Sequence, residues 1–136
     1  MPIFIQVSAR IPAQDLARAR AWYEEKLGLL PVEERPGGLR YQCGSGSFVI
    51  FASHGAASGT HTQLAFEVDD IEVAAAELRA RGVKLVSYKL PGLPMTNDIA
   101  EISGNYPSKG GVGERACWFY DSEGNLIGVG QAMREH

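Results

Sequence analysis

Apolar positions along the chain switch between a period of two and a period near 3.6, and each switch marks an element. Residues 3–11 alternate, with Val7, Ala9 and Ile11 on one face and Gln6, Ser8 and Arg10 on the other, which predicts a strand. Asp15 follows as a helix N-cap. Leu16, Ala19, Tyr23 and Leu27 then recur at spacings of three and four, so residues 16–27 are predicted helix, stopped by Gly28. Three short strands are expected over residues 29–34, 39–43 and 48–52, separated by Pro36-Gly37-Gly38 and Gly44-Ser45-Gly46 turns.

After a Gly/Ala/Ser-rich stretch over residues 53–60, the same order begins again. Residues 61–68 alternate, with Leu64, Phe66 and Val68 opposite His61, Gln63, Ala65 and Glu67. Asp70 caps a second predicted helix, residues 71–81, with Ile71, Ala74, Ala75 and Leu78 as its stripe and Gly82 as its stop. A strand over residues 83–89 leads into a long irregular stretch, residues 89–113. Two last strands, 116–120 and 126–131, are joined through Asp121-Ser122-Glu123-Gly124-Asn125, a hairpin signal. One constant offset places Ser8 on Gln63, Ile11 on Phe66, Ala13 on Val68, Asp15 on Asp70 and Leu16 on Ile71. That is a duplicated module, not a solenoid repeat. The expected modules are residues 1–57 and 58–136, together one compact domain. The fold class is α+β: two βαβββ modules with a curved mixed sheet forming a shared concave cleft.

Composition narrows the functions more than the fold. The 136 residues are 45% hydrophobic and 21% charged, ordinary for a globular chain that can bury a core without staples. The net charge of −3 is dispersed, with no basic face, so no nucleic-acid partner is expected. No run approaches the ~18 apolar residues of a membrane span, and the start lacks the form of a secretory signal, so a cytoplasmic protein without membrane partners is expected. Cys43 and Cys117 are expected as free thiols.

Three motifs in order resemble the glyoxalase/bleomycin-resistance/dioxygenase family, the vicinal oxygen chelate superfamily. The first runs from Ile11-Pro12-Ala13-Gln14-Asp15-Leu16 through Trp22-Tyr23 to Leu27-Gly28-Leu29. The second is Leu64-Ala65-Phe66-Glu67-Val68-Asp69-Asp70-Ile71, leading to Leu78 and Gly82-Val83. The third is Trp118-Phe119-Tyr120-Asp121-Ser122-Glu123-Gly124-Asn125-Leu126-Ile127. The resemblance implies a superfamily of isomerases, lyases, dioxygenases, epimerases and drug-binding resistance proteins, and a homodimer. Its catalytic members hold one divalent metal with His, Glu or Gln side chains on the concave sheet surface.

Carried over residue by residue, the implied metal positions fall on Ser8, Gln63 and Gly128, with a fourth near residues 48–51 that offers no donor. Only Gln63 is a candidate ligand, where a divalent transition metal wants three or more donors. No metal cofactor is therefore expected. A displaced site drawing on His61, Gln63, Gln6 and Glu67 is the alternative, served by lyase, isomerase or dioxygenase chemistry; a non-catalytic structural or regulatory homologue is another. The expected ligand-binding residues are Gln6, Ser8, Arg10, Arg40, Gln42, His61, Gln63, Glu67, Trp118 and Tyr120, around a small polar or aromatic molecule. Arg10 would pair with a ligand carboxylate and Glu67 would serve as a base, or the two would sit solvated or paired with one another on a sheet edge. The loop over residues 89–113 is expected as a lid, with Asn97, Asp98, Glu101 or Tyr106 toward the ligand, or as packing over the sheet or a dimer contact.

Overall fold

The computed structural model describes residues 3–87 and 93–134. The chain divides into two compact units, Met1–Gly59 with Asp121–Asn125, and Thr60–Tyr120 with Leu126–His136. Each carries one sheet and one helix.

The first unit holds β1 (Ala9–Ala13), α1 (Leu16–Trp22), β2 (Glu33–Arg35), β3 (Gly38–Cys43) and β4 (Gly46–Ala52). The sheet order is β1-β4-β3-β2, with β1 parallel to β4 and the others antiparallel. The predicted strand over residues 3–11 begins only at Ala9. Its partner explains most of this: Ala9 pairs with Phe48 and β4 starts at Gly46, which that register sets opposite Val7, so residues 3–6 run past the end of β4. Ile3, Phe4, Ile5 and Val7 are 80–99% exposed.

Asp15 caps α1 as expected, accepting from the Arg18 N–H. The helix does not stay α-helical to Leu27; from Tyr23 to Leu27 it widens into a π-helical turn, and Gly28 closes it at φ 69°. Ala19 and Tyr23 are fully buried, and the Tyr23 ring packs on Tyr41 and Phe48, which are themselves stacked 4.9 Å apart. Pro36 and Gly37, the latter at φ 77°, make the two-residue turn between β2 and β3.

The Asp121–Asn125 turn completes this unit's interior. Glu123, whose side chain is wholly buried, accepts from the N–H groups of Gln14 and Asp15 and forms an ion pair with Arg18. The Arg18 hydrogen bond is the chief reason its carboxyl is held down to about 2, with the Asp15 N–H and Ser122 hydroxyl adding to it against the cost of burial. Asp121 accepts from the Tyr23 hydroxyl at 2.7 Å and from Asn125 Nδ2 at 2.9 Å. Burial, and then the Asp121 charge, push the Tyr23 phenol far above its ordinary value.

The second unit holds β5 (Thr62–Glu67), α2 (Ile71–Ala80), β6 (Met95–Thr96), β7 (Ile99–Ser103), β8 (Gly113–Tyr120) and β9 (Leu126–Met133). The sheet order is β5-β9-β8-β7-β6, with β5 parallel to β9. Asp70 caps α2, and Ile71, Ala75 and Leu78 bury its stripe. Phe119, Ile127, Val129 and Cys117 form the buried sheet face beneath it.

Two predictions fail here for stated reasons. The strand over residues 83–89 is not formed at residues 83–87, and residues 88–89 lie outside the described residues; Val86 donates one bond to the Trp118 carbonyl, while β7 takes the ladder along the start of β8. The stretch over residues 89–113, read as irregular, contains the β6–β7 hairpin. Asn97 and Asp98 turn it at φ 53° and 65°, and Arg79 of α2 pins both. Among the described residues no helix is long and apolar enough to cross a membrane.

Candidate functional site

The ladders sort each sheet's side chains into a face under the helix and a face opposite it. In the first sheet Arg10, Val49, Arg40 and Glu33 form one cross-strand row on the opposite face. Arg40 is ion-paired to Glu33, and Gln42, two residues along β3, is exposed on the same side. Gln6 and Ser8 precede β1 and are exposed, outside the ladder. Of the five expected site residues in this unit, the sheet therefore gathers Arg10, Arg40 and Gln42.

In the second sheet the face opposite α2 is built mostly from very small residues. Ala65 pairs with Gly128 and Gly128 with Trp118; Glu67 pairs with Gly130, Gly130 with Ala116, and Ala116 with Ala100. Trp118 and Tyr120 stand on this face, as does Glu67. The expected alternation breaks at Gln63, which is the extra residue of a β-bulge between Thr62 and Leu64. Thr62 thereby comes to lie beside Gly128, while the Gln63 Oε1 is buried without a hydrogen-bond partner. His61 precedes β5 and is exposed.

Beside this floor runs an open groove of about 1220 Å³, within the second unit. Gly130 and Ala132 form its base, and Glu67, Asp69, Tyr106, Lys109, Glu114 and Arg134 line it. Lys109 reaches across to form an ion pair with Glu67. Lys109 ends the short 3₁₀ turn Pro107–Lys109, which lies between Gly104 at φ 81° and Gly110 at φ 65°, and its carbonyl accepts from Arg134. The Glu114 carboxylate folds directly over Gly130, in space that a Cβ there would occupy, and makes no hydrogen bond or ion pair among the described residues.

Glu114 and Lys109 are absent from the expected set. Both lie in or next to the stretch read as loop. The alternation Glu114, Ala116, Trp118, Tyr120 was present in the sequence, had the strand been carried back to Gly113. Tyr106 lines the groove, whereas Asn97 and Asp98 are tied to Arg79 in the hairpin turn. Cys117 is buried, and burial pushes its thiol up to about 11, so it is no thiolate nucleophile near neutral pH.

The metal that the resemblance implies does not fit the second unit. No group of three or more His, Cys, Asp or Glu side chains among the described residues is placed to hold an ion. At Gly128, where a glutamate would stand, even a Cβ would lie 3.2 Å from Thr62 Cγ2 and 3.4 and 3.5 Å from the Trp118 indole Nε1 and Cδ1. A side chain there would have to move the Thr62 methyl by a few tenths of an ångström and would lie against the Trp118 indole.

Known proteins define the class. Residues 5–129 match the sequence profile of the Glyoxalase/Bleomycin resistance protein/Dioxygenase superfamily, and the chain belongs to that family. An antibiotic-binding protein from a Streptomyces species is 21% identical, covering 97% of this chain and 99% of its own, with a TM-score of 0.63. A bleomycin-binding protein complexed with bleomycin is 19% identical over 94% of this chain and 98% of its own, also at 0.63. A genomically encoded fosfomycin resistance protein from Listeria monocytogenes is 15% identical over 97% and 96%, at 0.64. At these identities the likeness is one of fold. A search among curated proteins returns no match.

Proposed function

We propose that this chain is a binding protein that holds a small polar or aromatic molecule in the second unit, against the sheet face opposite α2, without a divalent metal. The groove over Gly130, with the unengaged Glu114 carboxylate on its base, is the observation that carries this reading. Such a groove combines a base of small residues with a few polar groups that fix orientation, the usual make-up of a small-molecule site. Solved relatives that bind bleomycin or another antibiotic share the fold and support the same reading by analogy. The protein acts in the cytoplasm, as its two unpaired cysteines suit, and as a homodimer that covers exposed sheet edges.

A second reading, metal-assisted lyase, isomerase or dioxygenase chemistry, draws on one observation, the buried and unpartnered Gln63 Oε1. A thermal-shift screen of chelator-treated protein separates the two. Binding without metal is expected to give a small molecule that raises Tm by several degrees in EDTA, and Gly130→Val, which fills the groove base, abolishes the shift while circular dichroism stays unchanged. Stabilisation seen only when a divalent metal is added back would overturn the proposal.

A further inference from the structure

One wall of the groove is a turn with no buried residue. From Gly104 to Val112 every position is exposed or half-buried, and Tyr106 is 75% exposed. The foot of the turn is closed by the Gly104 N–H on the Val112 carbonyl at 2.9 Å and the Val112 N–H on the Met133 carbonyl at 2.6 Å. Beyond that foot the bonds are the turn's own: the Tyr106 N–H to the Asn105 side chain, the Lys109 N–H to the Tyr106 carbonyl and the Gly110 N–H to the Pro107 carbonyl. Asn105 Nδ2 reaches back only to the Gly113 carbonyl at the foot. Among the described residues two polar ties leave the turn. Arg134 Nε donates to the Lys109 carbonyl at a long 3.4 Å, and the Lys109 ammonium crosses the groove to the Glu67 carboxylate of β5.

We propose that this turn is a gate on the groove, latched by the Lys109–Glu67 ion pair and swung on Gly104 and Gly110. No apolar side chain of the turn is buried, so the latch decides whether it stays down. Both partners are partly exposed, and a pair of that kind favours the closed form only slightly. The two glycines flank the moving segment at φ 81° and 65°, and glycine changes its backbone angles at low steric cost. Lifting the turn frees the Glu67 carboxylate, which stands across from Gly130 and the Glu114 carboxylate laid over it. That the gate admits a ligand rests on the binding reading above; that it opens does not.

Trypsin reads the open state directly. It cuts after lysine, and only where several residues of chain have left the protein surface, so the rate at Lys109–Gly110 follows the open population. The full chain is digested briefly, the fragments are weighed by mass spectrometry, and each rate is divided by that of a free peptide with the same turn sequence. Glu67→Gln is expected to speed this cut about two- to fivefold, the shift an exposed ion pair supports, with urea unfolding unchanged. About 0.5 M NaCl should speed it in the unaltered chain and leave Glu67→Gln as it is, because salt screens the same pair. Lys109→Arg keeps both the latch and the cleavage site and should match the unaltered chain. Equal rates in Glu67→Gln and the unaltered chain would overturn the latch. A cut that appears only in step with global unfolding would overturn the gate. A gate that opens, with no hit in the thermal-shift screen, would remove the binding reading alone; a hit with a turn that stays shut would remove the gate alone.

Discussion

Two carboxylates that are close in sequence behave in opposite ways. Glu123, in the first unit, has its side chain fully buried and engaged on every side: two backbone N–H groups, the Arg18 guanidinium and the Ser122 hydroxyl. Glu114, in the second, is half-buried over Gly130 and engages nothing among the described residues. A carboxylate with all its acceptor sites filled holds structure together. One placed on a groove floor with its sites open is available to a ligand. The two sheet faces differ as well, since the first sheet's outer row holds an Arg40–Glu33 pair and the second's carries glycine and alanine beneath Trp118 and Glu114.

Exchanging each carboxylate for alanine sharpens this contrast most. Glu123→Ala removes charge-assisted bonds to two helix-start N–H groups and to Arg18, and is expected to cost about 2–3 kcal/mol in urea unfolding. Glu114→Ala should stay within about 0.5 kcal/mol, as a change that breaks no hydrogen bond or ion pair among the described residues. Comparable losses for the two would break the distinction.

Acid titration tests the same difference without a large lesion. Glu123 has a folded value of about 2, below the ordinary carboxylate range, so it binds its proton more weakly folded than unfolded. Its stability contribution is therefore complete above the unfolded value and lost as pH falls toward 2. The folded protein should lose stability through that window, and Glu123→Gln should flatten the slope. An unchanged slope in the variant would place the acid-sensitive group elsewhere.

Smaller effects follow at the next contacts. Tyr23→Phe removes the hydroxyl bond to Asp121, which keeps Asn125 Nδ2 and the Glu123 and Asn125 N–H groups as donors, and should cost about 1 kcal/mol by thermal unfolding. Lys109→Ala opens a solvent-exposed ion pair to Glu67 and should change stability by under about 1 kcal/mol, while altering ligand affinity measurably. A large stability loss there would make the Pro107–Lys109 turn a structural tie and not a movable wall.

Much of the fold was legible because local signals agreed. Asp15 and Asp70 cap both helices, Gly28 and Gly82 stop them in the left-handed region, and the Asp121–Asn125 turn joins the last two strands. Less of the site could be read. The bulge at Gln63 shifts a period-two pattern by one residue, and nothing in the alternation of Thr62, Gln63 and Leu64 announces it. The turn at Asn97 and Asp98 takes up the positive φ that Asn and Asp tolerate, but the two-residue β6 was too short to show a period. Residues 3–8 alternate like a strand yet lie outside the β1–β4 ladder, and residues 3–6 run beyond the start of β4 at Gly46. Glu114 was hidden by its neighbours, because a strand beginning among glycines resembles a loop.

Metal content tests the central claim most directly. The protein is purified without chelators, incubated with nickel, zinc, manganese and ferrous iron in turn, desalted and subjected to elemental analysis. A metal-free binding protein predicts far less than one ion per chain under every condition, with Gln63→Ala indistinguishable from the unaltered chain. One ion per chain, lost in Gln63→Ala, would contradict it.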